Sequence, residues 1–260
     1  MTRFRLATVN VHLFRNPSGF EGNLNDLVTI LEPLDLDLIA VQEIQNNDKW
    51  KKFSSRLSLQ HSFYGQCNGE ILGNGIASRF PIQSPLNVRS ISCAGEARSL
   101  LQCSLHGDHP FIRNRLFAVT HLDYLDEEVR LAQINEFNPH HRNVDVLVGD
   151  MNALTREDYS EQYFQDMIVD KRERSQWEKP RFDLTRLITD EWKYTDAFRS
   201  IHREKKNEEV VTCAHGTRID YIYVHPRVNN EWVLTKCEII DTKGATDHHA
   251  VLAEFEFLSK

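Results

Sequence analysis

Short runs of apolar and β-branched residues, each closed by polar residues, recur along this chain. The clearest run is Val144-Asp-Val-Leu-Val-Gly-Asp150-Met-Asn152, in which residues 144–148 predict a short buried strand that ends at Gly149. Asp150 and Asn152 follow two residues apart, and residues at this spacing in extended backbone point to the same side. The pattern therefore predicts a carboxylate and a carboxamide side by side at the end of a strand.

The same pattern predicts the other elements. Helical spacing of Leu24, Leu27, Val28 and Leu31 predicts a helix that Pro33 closes. Several predicted strands between residues 73 and 122 follow one another without a helix, which favours mixed sheets over a parallel barrel. Strands are predicted at 4–14, 36–41, 61–65, 73–81, 97–105, 115–122, 218–225 and 251–257, and helices at 23–34, 50–57, 127–137 and within the charged stretch 155–192.

Length and charge narrow the class of protein. The 260 residues, 40% of them hydrophobic, predict a single domain covering 1–260, since no Pro/Gly/Ser-rich linker divides them. A formal net charge of −7 argues against tight binding to duplex DNA regardless of its sequence, which requires many Lys and Arg contacts to phosphate. This charge leaves open an enzyme that handles phosphate groups through a metal ion. It also leaves open a local basic cleft, which Arg15, Arg79, Arg98 and Arg218 are candidates to line.

Cysteine usage and hydropathy bear on location. The five cysteines are scattered, with no C-x-x-C pair, which indicates free thiols in a reducing compartment. The N-terminal residues lack the apolar core of a secretory signal, and no apolar run reaches the roughly 18 residues of a membrane span. We therefore expect a cytoplasmic or nuclear protein with no membrane span, and the sequence indicates no obligate protein partner.

Three predicted strand ends each allow two interpretations. Asn10 is unfavourable inside a strand, so it is either an edge residue or a site residue. Glu43 is either the first solvated residue after its strand or a carboxylate that lies at one edge of the fold with the other polar strand ends. His121 follows an apolar run, where a structural histidine is more common than a catalytic one.

Asp220 lies among β-branched and aromatic residues, and a buried carboxylate there requires a partner.

The charged stretch 155–192 also allows two interpretations. Lys171, Arg172 and Arg174 form a basic cluster that can contact a polyanion. Glu and Asp residues are interleaved with them, however, and a solvated helix face is the favoured interpretation.

Taken in order, the polar strand ends resemble the endonuclease/exonuclease/phosphatase superfamily, which has the DNase I-like fold. Six motifs appear in the family's order and extend over almost the whole chain. They are Val-Asn10-Val-His, Val-Gln42-Glu43, Thr-His121-Leu-Asp, Gly149-Asp150-Met-Asn152, Arg218-Ile-Asp220-Tyr and Thr246-Asp247-His248.

The resemblance implies an α/β protein of the α+β type, a four-layer sandwich of two packed mixed β-sheets flanked by helices. It implies Mg²⁺ as cofactor, with Mn²⁺ as a substitute, held by Glu43, Asn10 and Asp247. Asp150 resembles the residue that activates water, and Asp220 resembles the partner of His248. Asn152 and His121 resemble the residues that contact phosphate oxygens and assist catalysis, and Arg98 and Arg218 are further candidates for substrate binding.

Two departures from the family pattern limit what the resemblance implies. His12 stands where many nuclease relatives have an acidic residue, which leaves a second metal contact there open. Arg218-Ile-Asp-Tyr replaces the Trp-Cys-Asp-Arg signature of inositol polyphosphate 5-phosphatases.

We therefore predict a divalent-metal-dependent phosphohydrolase. The favoured activity is that of a phosphodiesterase or nuclease on nucleic-acid ends, single strands or nucleotide-like esters. The alternatives are a phosphatase of a small phosphorylated metabolite or lipid headgroup, and an inactive binding module with the same fold.

Overall fold

Two six-stranded mixed β-sheets pack face to face in the computed structural model of this protein, which describes residues 2–19, 22–67, 72–91 and 97–257. The first sheet has the strand order β11-β12-β1-β2-β4-β3, and the second has the order β5-β6-β7-β8-β10-β9. The strands are β1 (Arg3–Asn10), β2 (Leu38–Ile44), β3 (His61–Gln66), β4 (Gly73–Ser78), β5 (Ile82–Arg89), β6 (Ser99–Leu105), β7 (Leu116–His121), β8 (Val146–Asp150), β9 (Thr195–Asp196), β10 (Asp220–Val224), β11 (Trp232–Ile240) and β12 (Ala250–Phe257).

Helices cover the two outer faces and complete the four predicted layers. Two helical segments contain a wider π-helical turn, at Phe164–Val169 between α4 and α5 and at Leu187–Glu191 after α6. The helices are α1 (Leu24–Leu31), α2 (Asp48–Arg56), α3 (Glu127–Phe137), α4 (Glu161–Tyr163), α5 (Asp170–Arg174), α6 (Asp183–Arg186) and α7 (Ala197–Ile201). Among the described residues, no helix has both the length and the apolar character needed to cross a membrane.

Three apolar clusters hold the layers together. The central cluster fills the space between the sheets and includes Phe4, Phe117 and Val148. A second cluster packs α1 and α2 against the first sheet through residues such as Trp50. A third packs α3 and α6 against the second sheet and includes Phe137. Burial of these faces is the main favourable contribution to folding, and it holds the strand ends rigidly at one edge.

The structure differs from the predicted elements in places that bear on the site. The first strand ends at Asn10 instead of continuing to residue 14, and a turn at His12–Phe14 with positive φ angles follows it. Strand β5 was not predicted, because it is largely exposed and contains Pro85, which breaks the alternating pattern. Strand β11 was not predicted either.

Gly149 allows the close approach of β7 and β8. These strands are parallel, and Thr120 lies opposite Gly149. A Cβ atom at Gly149 would lie 2.0 Å from the backbone oxygen of Thr120, and its φ of +132° is a conformation that residues with side chains rarely adopt. A glycine is therefore required one residue before Asp150.

Candidate active site

Strand pairing brings the predicted polar strand ends together. Strands β7 and β8 are parallel and place His121 opposite Asp150. Strand β10 is antiparallel to β8 and places Asp220 opposite Asp150 from the other side. On the facing sheet, β1 and β2 are parallel, and their last paired residues are Asn10 and Gln42. One edge of the sandwich therefore collects residues that are far apart in sequence.

Asp150 lies at the centre of this group and is buried. Its Oδ2 accepts a hydrogen bond from Asn10 Nδ2 at 3.3 Å, and its Oδ1 accepts one from the backbone N–H of Asn152 at 3.0 Å. The Nε2 atoms of His121 and His248 lie 3.5 and 3.8 Å from the same Oδ2. Donors thus approach this carboxylate from both sheets.

Burial and the nearby charge of Asp220 raise the pKa of Asp150 to about 7, although the charge of His248 and the hydrogen bonds from Asn10 and Asn152 act in the opposite direction. A carboxylate that titrates near neutral pH is suited to accept a proton from water. Strongly shifted carboxylates in a cleft are typical of functional sites.

The two histidines beside Asp150 differ in charge. Burial, and then the charges of Arg98 and His248, hold the pKa of His121 well below its ordinary value, so its imidazole is neutral. Burial also lowers the pKa of His248, but the charge of Asp220 and a 2.9 Å hydrogen bond between Asp220 Oδ2 and His248 Nδ1 outweigh it, and the pKa is raised well above its ordinary value. The site therefore presents a neutral and a cationic imidazole to one carboxylate.

The predicted partnership of Asp220 and His248 is present as a direct hydrogen bond. The backbone N–H groups of Ile219 and Asp220 donate to Thr212 Oγ1 at 3.0 and 3.1 Å, which fixes the start of β10. The second carboxylate oxygen of Asp220, Oδ1, is buried and has no hydrogen-bond partner among the described residues. An unsatisfied buried acceptor is costly to leave, and it is the kind of atom that a bound cation or donor would satisfy.

The predicted metal ligands Glu43, Asn10 and Asp247 lie beside this group. Asn10 Nδ2 donates to Glu43 Oε1 at 3.0 Å, and its Oδ1 accepts the N–H of His12 at 3.1 Å. The Nδ1 atom of His12 lies 3.7 Å from Glu43 Oε2 and 3.6 Å from Asp247 Oδ1. His12 therefore stands between the two carboxylates, close to both.

The donor chemistry fits a divalent cation, since Mg²⁺ and Mn²⁺ prefer carboxylate and carbonyl oxygens. Ligand atoms of Asp150, Asp220 and His248 also lie within 4.8 Å of one another. The hydrogen bond between Asp220 and His248 accounts for part of that tight grouping without a metal. Both Glu43 and Asp247 line the cleft and are half-buried.

Two site residues adopt left-handed backbone conformations. Glu43 has a φ of +55° and Asn152 a φ of +50°, a region that is uncommon for residues other than glycine. Such conformations cluster at functional sites, where the surrounding structure maintains them. Glu43 lies where the pairing of β2 with β4 shifts register between Val41 and Ile44, and Asn152 follows the end of β8. Both side chains border the cleft.

The four arginines considered from the sequence occupy different places. Arg98 borders the cleft, and its Nη1 lies 3.2 Å from His121 Nδ1. Arg218 does not border the cleft, which corrects the prediction that it contacts substrate. Its guanidinium is buried and donates to Asp158 Oδ2 at 2.7 Å and to Asp196 Oδ2 at 2.6 Å. This arginine joins the turn that contains Asp158 and strand β9 to the residues just before β10.

Arg15 and Arg79, the other two candidates for a basic cleft, do not border the cleft either. Arg15 is exposed, and Arg79 pairs with Asp35 at 2.7 Å.

A cleft of about 740 Å³ opens over these residues, and its far wall was not predicted. The wall is formed by the segment from α4 to residue 178 and by the loop before α3. Lys171 and Arg172 line it, so the preference for a purely solvated helix face was wrong for these two residues. Exposed apolar and aromatic side chains complete the wall at Tyr124, Leu125, Met167 and Trp177.

Residues 7–248 match the endonuclease/exonuclease/phosphatase family. Structural similarity extends over the same region. An endonuclease/exonuclease/phosphatase from Beutenbergia cavernae superimposes with a TM-score of 0.73 at 17% identity, covering 99% of this chain and 72% of that one. No curated protein sequence matches this chain.

Two further solved structures have the same fold. The human Nocturnin catalytic domain with bound sulfate superimposes with a TM-score of 0.71 at 16% identity, covering 98% of this chain and 94% of that one. The 2′,3′-cyclic phosphatase ANGEL2 in complex with adenosine-2′,3′-vanadate has a TM-score of 0.67 at 14% identity, with 98% and 96% covered.

Proposed function

Because this chain belongs to the endonuclease/exonuclease/phosphatase family, we propose that it is a magnesium-dependent phosphodiesterase acting on nucleic-acid ends, single strands or nucleotide-like esters. The observation that carries this proposal is the position of Asp150, whose carboxylate lies between a neutral His121 and a cationic His248 at the end of an open cleft. Hydrolysis of a phosphate ester needs a base for water and positive charge for the phosphate oxygens, and this arrangement provides both.

In the proposed mechanism, Asp150 orients the attacking water and takes its proton as the water oxygen bonds to phosphorus. The ester P–O bond opposite the water breaks, and the leaving oxygen takes a proton from solvent in the open cleft. Asn10 holds one oxygen of the Asp150 carboxylate through its hydrogen bond, and the N–H of Asn152 holds the other. The cationic His248, kept in place by Asp220, stabilises the negative charge that develops on the phosphate. Asn152 and neutral His121 contact the remaining phosphate oxygens, and Arg98 supports His121.

Glu43, Asp247 and Asn10 are the residues that we assign to the metal ion. A bound divalent cation supplies charge neutralisation and Lewis-acid polarisation at the phosphate. Two carboxylates suffice for Mg²⁺, because it retains several of its waters. Mn²⁺, which accepts the same ligands, is proposed as a substitute.

The remaining features support a location in a reducing compartment. The four described cysteines are free and buried, as expected for the cytoplasm or nucleus. Cys93 lies outside the described residues. The sequence favours action as a single 260-residue domain without an obligate protein partner.

A panel of phosphate esters tests the function. Purified protein is assayed on short single-stranded DNA and RNA, dinucleotides, sugar phosphates and inositol phosphates, with Mg²⁺, with Mn²⁺ and with excess EDTA. We expect the phosphodiesters to be cleaved fastest and EDTA to abolish turnover. Full activity in EDTA would overturn the metal dependence. Faster hydrolysis of phosphomonoesters would favour the alternative of a metabolite or lipid-headgroup phosphatase, and inactivity on the whole panel would favour a binding module.

A further inference from the structure

The far wall of the cleft carries side chains that the hydrolytic reaction does not use. Trp177, Met167, Tyr124 and Leu125 border the same cleft as Asp150, and all four are exposed. They belong to two separate segments, the end of the α4–α5 region and the loop before α3. An apolar patch next to a catalytic group is commonly a surface for part of the ligand.

Trp177 differs from the other tryptophans of this chain. The chain has four tryptophans, all of them within the described ranges, and Trp50, Trp192 and Trp232 are buried in the apolar clusters. Trp177 retains 42% of its surface exposed. Because leaving this much apolar surface in water forgoes the favourable free energy of burial, its position calls for an explanation other than core packing.

The exposed indole is held in place by its surroundings. Its ring meets His215 edge-on, with 5.1 Å between the ring centroids, and its backbone N–H donates to Arg172 O at 2.9 Å. The following residue, Glu178, forms an ion pair with the buried Arg130 and accepts the N–H of Glu127 at 2.8 Å. A rigid aromatic surface loses little conformational entropy when a ligand binds to it.

Polar and cationic groups surround the apolar surface. Lys171 and Arg172 line the same wall, and Lys171 Nζ donates to the backbone oxygen of His215 at 2.9 Å. Gln176 also borders the cleft, and its carboxamide offers both a donor and an acceptor. Asp126 borders the cleft as well, but its Oδ1 accepts the N–H groups of Glu128 and Val129 as the N-cap of α3. The wall therefore combines flat apolar faces, hydrogen-bonding edges and positive charge within one cleft.

We propose that the Trp177 wall, defined as Tyr124, Leu125, Met167, Lys171 and Trp177, binds the nucleobase of the substrate while the phosphate ester lies at Asp150. This proposal rests on the proposed function for the position of the phosphate. A base has two flat faces and a polar edge, and stacking on an aromatic side chain does not depend on which base is present. An acyl chain would offer no hydrogen-bonding edge to the side chain of Gln176, and a bare sugar phosphate would leave the indole face uncovered.

The test is a binding experiment that requires no turnover. Asp150→Asn protein with Mg²⁺ is titrated by calorimetry with adenosine 5′-monophosphate, ribose 5-phosphate and octyl phosphate, alone and combined with Trp177→Ala or Trp177→Phe. Phe63→Ala is the matched control, because Phe63 is an exposed aromatic residue that does not line the cleft.

The expected result is base-dependent affinity. Adenosine 5′-monophosphate should bind more tightly than ribose 5-phosphate by about 5- to 150-fold, the range that stacking of one base supplies. Trp177→Ala should abolish most of this difference without weakening ribose 5-phosphate, whereas Trp177→Phe and Phe63→Ala should retain it.

Three outcomes would overturn the proposal: equal affinity for the nucleotide and the sugar phosphate, equal weakening of both by Trp177→Ala, or tightest binding of octyl phosphate. The proposed function fails separately, through absence of wild-type turnover, since base-dependent binding can persist in an inactive protein.

Discussion

The floor and the far wall of the cleft are built in different ways. The floor consists of strand ends, and its geometry follows from the pairing of β7, β8 and β10. The wall consists of the segment from α4 to Glu178 and the loop before α3, and the ion pair of Glu178 with Arg130 joins the first of these to α3. A sheet scaffold therefore supplies the chemistry, while an irregular segment supplies the surface that a substrate's variable part would contact.

We expect the largest effect on turnover from a substitution on the floor of the cleft, at Asp150. Asp150→Asn keeps the size of the side chain but removes its ability to accept a proton from water. We expect turnover to fall by about 10²–10⁴-fold, the usual contribution of a general base, with the fold retained. Single-turnover kinetics with saturating Mg²⁺ measures this loss, and circular dichroism checks the fold. Wild-type turnover by the variant would remove Asp150 from the mechanism.

Asp220 and His248 should act as one unit on the floor. Asp220→Asn and His248→Gln each disrupt the 2.9 Å hydrogen bond that keeps the imidazole cationic. We expect the double variant to be little slower than either single variant, because residues that function together lose their contribution once. A double-mutant cycle on kcat measures the coupling. Fully additive losses would show that the two residues work independently.

Arg218 lies two residues before Asp220 but should affect stability instead of chemistry. Arg218→Met leaves Asp158 and Asp196 without the guanidinium that both contact. Breaking one partner of a buried ion pair costs about 3–5 kcal/mol, which denaturant unfolding would measure. The rate per folded molecule should stay near that of the wild type. A large fall in kcat with unchanged stability would contradict this assignment.

Asp150 should also make stability depend on pH when the metal is removed. In EDTA, the folded protein holds the Asp150 proton up to about pH 7, whereas the unfolded chain releases it near the ordinary value of 3.8. Folding of the wild type therefore becomes less favourable as pH rises from about 4 to 7. Asp150→Asn has no carboxyl group to ionise at this position. The melting temperature of the variant should therefore rise relative to that of the wild type between about pH 4 and pH 7, and this relative increase should persist at pH 8.

A melting-temperature difference between Asp150→Asn and the wild type that stays constant from pH 5 to pH 8 would contradict the raised pKa. Parallel scans with Mg²⁺ present serve as the control, because a bound cation stabilises the ionised carboxylate.

The smallest expected effect lies on the wall. With a net charge of −7, the protein should bind few phosphates, and the slope of log affinity against log salt should correspond to about one to three contacts. Lys171→Gln should make that slope shallower by up to about one, while Lys49→Gln, on α2 and outside the cleft, should not change it. A steep slope with preferential cleavage of long duplex DNA would reverse the substrate preference.

The floor was predictable from sequence because strand periodicity is a local property. Alternation predicted that Asp150 and Asn152 lie on one side, and both border the cleft, although the backbone of Asn152 is left-handed instead of extended. The apolar surroundings of Asp220 required a partner, which the structure provides as His248. The place of Arg218 was not predictable, because its partners Asp158 and Asp196 lie 60 and 22 residues away. Pairing of that kind leaves no periodic pattern in the sequence.

The wall of the cleft could not be predicted from the sequence either. Lys171 and Arg172 lie among interleaved acidic residues, as in a solvated helix, and only the position of α5 in the fold brings them to the cleft. Nothing adjacent to Trp177 in sequence distinguishes it from the three tryptophans that are buried in the apolar clusters.

Gly149 also restricts the register in which β7 and β8 can pair. In the observed register, Thr120 faces the one residue of this segment that lacks a Cβ atom. A slip of β8 by one residue would bring Val148 or Asp150 to that position, and either side chain begins with the atom that the contact excludes. The contact at Gly149 therefore disfavours, during folding, registers of β7 and β8 in which His121 and Asp150 would not lie opposite each other.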